Sequence, residues 1–287
     1  MKRERYGSVL VALSAVAFGF LAIFAKMAYG AGISTYTLLF LRFTVAALFM
    51  FSLMRIRKCP LPSKKEIISF LLLGALGYVG QSTCYFLSVE YSSAGTATLL
   101  LYLHPALVML FSALLYKEKI TVRKVIALFL ALSGAFIIIG GTFEASPKGI
   151  ILGVAAAFIY SFYLLFNSRL VKEGMGIQSS AFIMLGAAVV FGIINIFTGF
   201  TVPTHINGYV AVVLTALFST VFAMWALLTG MEITGPTKAT LISVLEPVVT
   251  VVMSVLILSE PLTLNILLGG SLVVGALFVQ SLKTEGV

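Results

Sequence analysis

The sequence of 287 residues lacks aspartate altogether and contains only two histidines and two cysteines. Because every acidic residue is a glutamate, and because His104 and His205 stand far apart in the chain, aspartate-based catalytic triads and most clusters of metal ligands are excluded. Cys59 lies in a basic segment and Cys84 in an apolar one, so they are not expected to form a structural disulfide. The sequence predicts no metal site and no cofactor.

Charged residues are also scarce. They make up 10% of the chain, hydrophobic residues make up 60%, and the mean hydropathy is +1.11. Such a chain has too little polar surface to cover a soluble globule, so a membrane protein is predicted, with the lipid bilayer as its surroundings. The net charge of +9 follows from the charge distribution between loops described below, and no nucleic-acid partner is predicted.

Apolar stretches of the length needed to cross a bilayer occur ten times. A helix needs about 20 apolar residues to span the hydrocarbon core. The predicted spans 1 to 10 cover residues 7–29, 34–54, 67–89, 93–116, 123–142, 149–169, 178–199, 208–231, 237–258 and 262–282.

Lysine and arginine are concentrated on one side of this arrangement. If the amino terminus is inside, the two termini and the loops after even-numbered spans hold every Lys and Arg except Lys26, Arg42 and Lys148. The positive-inside rule then predicts a multi-pass protein of the cytoplasmic membrane with both termini in the cytoplasm. Lys26 and Arg42 lie in the outer halves of their spans, where they either reach water by snorkelling or contact substrate.

The chain repeats itself at an offset of 142 positions. Glu90, Ala97, Thr98, Leu99, Leu103, Pro105, Ser112, Leu114, Glu118 and Thr121 recur as Glu232, Ala239, Thr240, Leu241, Leu245, Pro247, Ser254, Leu256, Glu260 and Thr263. Residues 7–143 and 149–282 each hold five spans, and since five is odd, the second copy enters from the opposite side. The predicted fold is an all-α membrane protein with ten transmembrane helices in two inverted five-helix repeats.

Several of these repeated segments carry a family pattern. They cover residues 88–105, 115–121, 131–134, 231–240, 245–248, 258–263 and 269–275, with further matches at 18–26 and 41–43. Together they resemble two tandem EamA domains of the drug/metabolite transporter superfamily. The resemblance implies ten helices, cytoplasmic termini and secondary transport of small metabolites, often export of amino acids or drugs. The chain departs from the pattern at His104 and at Met184, which stands where Arg42 would repeat.

The offset places His104 and Glu246 at equivalent positions, each directly before a proline, Pro105 or Pro247. A proline inside a helix leaves a backbone carbonyl unpaired, so both helices are predicted to break near the midplane. A carboxylate at that depth costs on the order of 3 kcal/mol unless it faces a polar cavity. Glu246 is therefore predicted to bind substrate or carry a coupling proton, with a protonated structural glutamate as the alternative. His104 is either a second such group or a packing residue.

Polar and aromatic residues at helical spacing are further candidates for the substrate cavity. They are Tyr78, Gln81 and Tyr85 in span 3, Thr98 and Tyr102 in span 4, Asn167 in span 6 with Tyr160 and Tyr163, and Trp225 in span 8. Packing between helices produces similar stripes, so this alternative stays open for each of them. Glu118 and Glu260, which follow spans 4 and 9, are predicted to hold helix ends.

The predicted function is secondary active transport of a small organic metabolite through a midplane cavity. The predicted direction is export, the predicted solute is an amino acid or drug-like compound, and protons are a candidate coupling ion. The sequence has no G-x-x-x-x-G-K-[ST] motif, which argues against an ATP-driven pump. A membrane-embedded enzyme and a passive channel-type subunit are the alternatives from other classes. Among transporters, an importer of sugars or nucleotide-linked metabolites is the alternative.

Overall fold

The computed structural model describes residues 2–116, 122–141, 146–172 and 174–281, which form ten helices. These helices follow the ten predicted spans in order, and the predicted fold class is confirmed. Their bounds are α1, Lys2–Gly19 and Leu21–Gly30; α2, Thr35–Ile56; α3, Lys64–Leu72, Leu73–Tyr78 and Val79–Tyr91; α4, Ala94–Leu101 and His104–Tyr116; α5, Val122–Gly141; α6, Pro147–Leu170; α7, Gly176–Thr198; α8, Ile206–Val213, Leu214–Phe222 and Ala223–Thr234; α9, Pro236–Ser243 and Leu245–Leu258; and α10, Leu264–Ser281.

Most of these helices have the length of a membrane span. Within the described residues, seven are long and apolar enough to cross a bilayer, and shorter apolar helices cover Val125–Ile138, Leu245–Leu258 and Leu264–Val279 in α5, α9 and α10. Many large apolar side chains face outward, among them Phe129 and Phe136, which are 70% and 80% exposed. An exposed apolar surface of this kind suits contact with lipid.

Serine residues mark where several helices begin. Ser34 accepts a hydrogen bond from a backbone N–H in the first turn of α2, and Ser93 does the same for α4. At α3, Ser63 and Glu66 form a reciprocal capping box. These side chains satisfy N–H groups that have no partner within the helix, which explains why the connections between helices can be so short.

Helix pairs occur in symmetric sets. α6 of the second repeat packs on α3 and α4 of the first. Its equivalent in the first repeat, α1, packs in the same way on α8 and α9 of the second repeat. Two further pairs, α2 with α7 and α5 with α10, join equivalent helices of the two repeats. This is the contact pattern expected when two copies of one unit are related by a two-fold axis.

The α5–α10 pair gives the relative direction of the two repeats. Gly134 lies against Gly269, Asn265 donates a hydrogen bond of 3.0 Å to the carbonyl of Ile137, and Ala131 belongs to the same core cluster as Ala276. Residue numbers therefore rise along α5 as they fall along α10, so the two helices run antiparallel. Equivalent helices in opposite directions are the arrangement that inverted repeats require.

Two kinds of irregularity interrupt the helices near their middles. α4 breaks at Tyr102 and α9 at Val244, each just before the equivalent His104 and Glu246. In addition, α3 and α8 each contain a π-helical segment, Leu73–Tyr78 and Leu214–Phe222, at equivalent positions of the two repeats. The breaks in α4 and α9 agree with the predicted proline effect, whereas the π-helices are not predicted by any sequence pattern. π-Helical segments are rare and occur frequently at functional sites.

Candidate functional site

A cavity of about 390 Å³ lies where the irregular helices of the two repeats meet. Its size falls within the range typical of small-molecule sites. Its lining residues come from α1 to α4, α6 and α8 to α10, and they are Phe18, Leu21, Arg42, Tyr78, Gln81, Ser82, Tyr85, Leu101, Tyr102, His104, Pro105, Tyr160, Leu227, Ser243, Val244, Glu246 and Leu277.

Six of the residues predicted for a substrate cavity from the sequence are on this wall together with Pro105. They are Glu246, His104, Gln81, Tyr78, Tyr85 and Tyr102, and Tyr160, predicted with Asn167, is a seventh. The two predicted helix breaks therefore bring the equivalent positions His104 and Glu246 to one space, although they come from different repeats.

The Glu246 carboxyl group is held across the repeat interface. It interacts with the Tyr102 hydroxyl group of α4, and it interacts electrostatically with Arg42 of α2. Thr250, one turn further along α9, bonds its hydroxyl group to the backbone carbonyls of Glu246 and Gly19. The carboxyl group is thus positioned by three helices while it faces the cavity.

His104 compensates for the proline that follows it. Pro105 has no N–H, so the carbonyl of Leu101, four residues earlier, loses its helical partner. The His104 Nδ1 atom lies 2.9 Å from that carbonyl oxygen. Because a carbonyl only accepts, Nδ1 must donate, and the neutral ring then has Nε2 as its acceptor. His104 therefore both stabilises the break in α4 and contributes a ring to the cavity wall.

Aromatic rings form a continuous part of the wall. The Tyr160 ring packs on His104 at 4.6 Å between ring centres and stacks on Tyr163 at 5.8 Å, and Tyr163 in turn lies 5.1 Å from Tyr78. Close approach of α3 to α6 is needed for this contact, and Gly77 faces the Tyr163 side chain directly. An apolar or aromatic solute would find ring surfaces on this side of the cavity.

The sequence is compatible with either snorkelling or substrate contact for Arg42, and the structure places this residue on the cavity wall with only 5% of its surface exposed. Its Nε atom donates a 2.9 Å hydrogen bond to Thr220 of α8. The guanidinium group lies over the Phe43 and Phe86 rings at 4.9 and 5.3 Å. Thr220 is the position equivalent to Tyr78, which also contacts Arg42, so the ends of both π-helices meet at this side chain.

Other predicted site residues lie off the cavity wall. Thr98 is buried behind it, where its hydroxyl group bonds that of Tyr85 at 2.9 Å. Trp225 packs near Phe222, and the Oδ1 atom of Asn167 is buried without a hydrogen-bond partner. Pro247 contributes to a separate apolar groove between α9 and α10. Helical spacing predicts which residues share a face, but not which neighbour covers that face.

The two ends of the cavity differ. We call the side where α1 begins and α10 ends the terminal side. On the opposite side, Lys26 donates to the carbonyl of Ser92 at 2.5 Å, and Thr35 donates to Glu90 at 2.7 Å. Residues 94–100 of α4 are all buried there. The wall residues Leu227 and Leu277 lie instead toward the terminal side, so the cavity extends in that direction.

Glu260 also connects helices on the side of the cavity opposite the terminal side. Its two carboxylate oxygens accept hydrogen bonds from the backbone N–H groups of Ala94 and Gly95, at 2.7 and 3.3 Å. An anion at this position complements both the unpaired N–H groups and the dipole of the α4 helix. This contact joins the end of α9 to the start of α4 and agrees with the predicted helix-end role of Glu260. The equivalent Glu118 lies outside the described residues.

Metal ligands do not gather anywhere in the part of the chain that the structure describes: no three His, Cys or Glu side chains come together there. The two cysteines, Cys59 and Cys84, are unpaired and half-buried.

Comparison with known proteins gives a match over nearly the whole chain. The model of the EamA-like transporter family matches twice, at residues 5–140 and 147–282. The curated relatives include the uncharacterized transporter YdfC of Bacillus subtilis, which is 29% identical over 228 residues and aligns over 78% of this chain and 74% of its own. The uncharacterized transporter YcbK of the same organism is 24% identical over 289 residues, covering 92% and 88% of the two chains.

Relatives also occur in other bacteria, and the fold has been solved. The uncharacterized inner membrane transporter YicL of Salmonella typhimurium is 26% identical over 239 residues, which cover 78% of this chain and 76% of YicL. A crystal structure with 19% sequence identity superposes with a TM-score of 0.67 over 95% of both chains. At that identity the likeness establishes the fold and nothing further.

Proposed function

The chain belongs to the EamA-like transporter family, and we propose that it is a secondary active transporter that exports a small organic metabolite, an amino acid or drug-like compound, across the cytoplasmic membrane. In this proposal residues 7–143 and 149–282 are the two five-helix repeats that together enclose the cavity. The observation that carries the proposal is the cavity between the repeats, with His104 and Glu246 at equivalent positions of its wall.

The difference between the two ends of the cavity supports alternating access. On the side opposite the terminal side, Glu260 joins α9 of the second repeat to α4 of the first, and Lys26 and Thr35 make contacts within the first repeat. The cavity extends toward the terminal side. Because the repeats are inverted, exchanging their conformations would close the cavity on the terminal side and open it on the opposite side. A solute bound in the cavity would then leave on the opposite face of the membrane.

Glu246 is the proposed substrate-orienting or coupling group. A carboxyl group at membrane depth either pairs with a cationic group of the solute or takes up a proton, because an isolated carboxylate is costly there. Its contact with Tyr102 joins α9 to α4, so a change in its charge acts directly on the helices that would have to separate. Protons are therefore the proposed coupling ions.

The alternatives predict different behaviour in one experiment. The family and the names of the relatives fit a transporter rather than an enzyme. In proteoliposomes loaded with unlabelled solute, a transporter accumulates labelled solute transiently by counterflow, a channel only equilibrates it, and an enzyme converts it. A panel of amino acids, sugars and nucleotide-linked metabolites also separates export of amino acids from import of the other two classes. Chemical conversion or simple equilibration would contradict the proposal.

Chemical labelling measures which end of the cavity is open. We expect Ser243→Cys on the cavity wall to react with a membrane-impermeant maleimide only from the terminal side, and Ser259→Cys in the exposed α9–α10 loop to react only from the opposite side. Cys59 and Cys84 are first replaced by serine. Labelling is compared in right-side-out and inside-out vesicles by a mass shift. Reaction of both cysteines from the same side would contradict the proposed cavity direction.

The orientation in the membrane follows from the loop charges and has its own test. We expect a reporter that is active only outside the cytoplasm to work when fused near Ala145 and to be inactive at Val287, because the positive loops and both termini are proposed to be cytoplasmic. A reporter that is active only in the cytoplasm should give the reverse pattern at the same two sites. Activity of the first reporter at Val287 with silence at Ala145 would invert the proposed topology.

A further inference from the structure

In the part of the chain that the structure describes, no carboxylate lies within ion-pair distance of the Arg42 guanidinium group. Within the described residues the ion pairs are formed by Arg57, Lys172 and Lys238, and Arg42 takes part in none of them. Glu246 lies on the same cavity wall but beyond ion-pair distance in this conformation. Arg42 is thus a buried cation of the membrane interior that forms no ion pair among the described residues, and its electrostatic interaction with Glu246 acts across a longer distance.

The contacts that Arg42 does make position it without neutralising it. A guanidinium group offers five N–H donors in a planar fork. The Nε group donates to Thr220, and the group also contacts the Tyr78 hydroxyl. The Phe43 and Phe86 rings cover part of its surface through cation–π contact. These partners are neutral and do not form an ion pair with the guanidinium group, and an anion can approach it from the cavity that it lines.

We propose that Arg42 is the anion-binding residue of the cavity and that the transported solute carries a carboxylate or a comparable planar anion. This inference rests on the proposed transport function and deepens it. A guanidinium fork matches a carboxylate with two parallel hydrogen bonds, which a lysine ammonium group cannot reproduce. The buried position makes such a pair strong because the local dielectric is low.

The rest of the wall defines the other features of the solute. The rings of Tyr78, Tyr85 and Tyr160 lie around the cavity and suit an apolar or aromatic body. Glu246 provides a charge of opposite sign at the α9 break, so an ammonium group on the same solute is accommodated as well. The volume of about 390 Å³ limits the solute to a small molecule.

Matched pairs of probes test the anion site on the wild-type protein. L-phenylalanine is compared with L-phenylalaninamide, and 3-phenylpropionate with 3-phenylpropionamide, since each amide keeps the aromatic body and removes the carboxylate. The readouts are the melting temperature of the purified protein over a concentration series and counterflow in proteoliposomes. We expect each acid to bind about tenfold or more tightly than its amide, as the loss of a charge-assisted, bidentate contact predicts. Equal affinities, or no binding by either acid, would overturn the inference.

Variants assign the discrimination to Arg42. In Arg42→Gln we expect the ratio of acid to amide affinity to fall to about one, and in Arg42→Lys to an intermediate value, because the charge is kept and the fork is lost. The matched control is Arg57→Gln, at the exposed end of the same helix, which should keep the wild-type ratio. If Arg42→Gln does not fold, the test depends on Arg42→Lys alone. A wild-type ratio of acid to amide affinity in Arg42→Lys would then overturn the inference.

The outcomes also separate this inference from the proposed function. Acid-specific melting shifts without counterflow of any solute would support the anion site and contradict transport. Counterflow of acids and amides at equal rates, unchanged in Arg42→Lys, would support transport and contradict the anion site. Counterflow of the acids alone, lost in Arg42→Gln and kept in Arg57→Gln, supports both.

Discussion

Replacing Glu246 with glutamine is expected to abolish gradient-driven transport while the protein still folds and inserts. Glutamine keeps the shape of the side chain and an amide oxygen that faces the Tyr102 hydroxyl group, so we expect the contact between α9 and α4 to persist. The substitution removes the negative charge and the ability to take up a proton. Since burying a charge in the membrane is costly, the variant should be at least as stable as the wild type.

The way in which transport fails identifies the role of the carboxyl group. If it pairs with a cationic group of the solute, affinity should fall by roughly tenfold to a hundredfold, the loss expected for a hydrogen bond to a charged partner. If it carries the coupling proton, uptake against a gradient should stop while exchange of internal for external solute continues. Both quantities are measured in proteoliposomes that contain equal amounts of protein.

Glu232→Gln is the matched control for this experiment. Glu232 belongs to the same repeat, but its carboxylate is exposed at the terminal side, where it pairs with Arg57 at 3.0 Å. Exposed ion pairs contribute little to stability, so this variant should transport at about the wild-type rate. Wild-type coupling and affinity in Glu246→Gln, at equal protein amounts, would instead make Glu246 a structural residue of the α9 break.

Much of the fold follows from the sequence because the signals are long and redundant. Ten apolar stretches of span length predict ten helices, and the repeat predicts which of them are equivalent. The pairing of His104 with Glu246 across the cavity is an inference of the same kind. It needs only the constant offset and the knowledge that an internal proline disrupts a helix, as the break at Tyr102 illustrates.

The rotation of each helix is what the sequence does not reveal. Arg42 on a membrane helix has the same pattern whether it snorkels to water or faces the interior, and the choice depends on how α2 packs on α7. For the same reason Thr98 and Tyr102 share a helix face by spacing, yet Tyr85 covers Thr98 and leaves Tyr102 on the cavity wall. The equivalent π-helices in α3 and α8 likewise leave no residue pattern, because they depend on the backbone shift that tertiary packing imposes.

The crossing of α3 and α7 shows how that packing reaches the site. A Cβ atom added at Gly74 would lie 2.1 Å from the carbonyl oxygen of Ile183, and one at Gly186 would lie 2.4 Å from the carbonyl oxygen of Leu71. The backbones of the two helices therefore touch without side chains between them, as small residues permit in membrane helices. Gly74 lies within the π-helix that ends at Tyr78, so this contact also determines where α3 presents its cavity residues.

Gly74→Ala is therefore expected to lower stability and transport together. The added methyl group meets backbone rather than a movable side chain, so α3 and α7 must separate, and overpacking of a fixed structure typically costs about 1–3 kcal/mol or more. Separation would displace Tyr78 and Gln81 from the cavity wall. The control is Gly275→Ala in α10, where nothing lies within 4 Å of the added atom and helix propensity predicts a gain of roughly 0.5–1 kcal/mol. Thermal unfolding of the purified variants measures the difference. Equal melting temperatures for the two alanine variants would mean that α3 can shift away from α7 without penalty, and the close crossing would then not be what holds the α3 residues in the site.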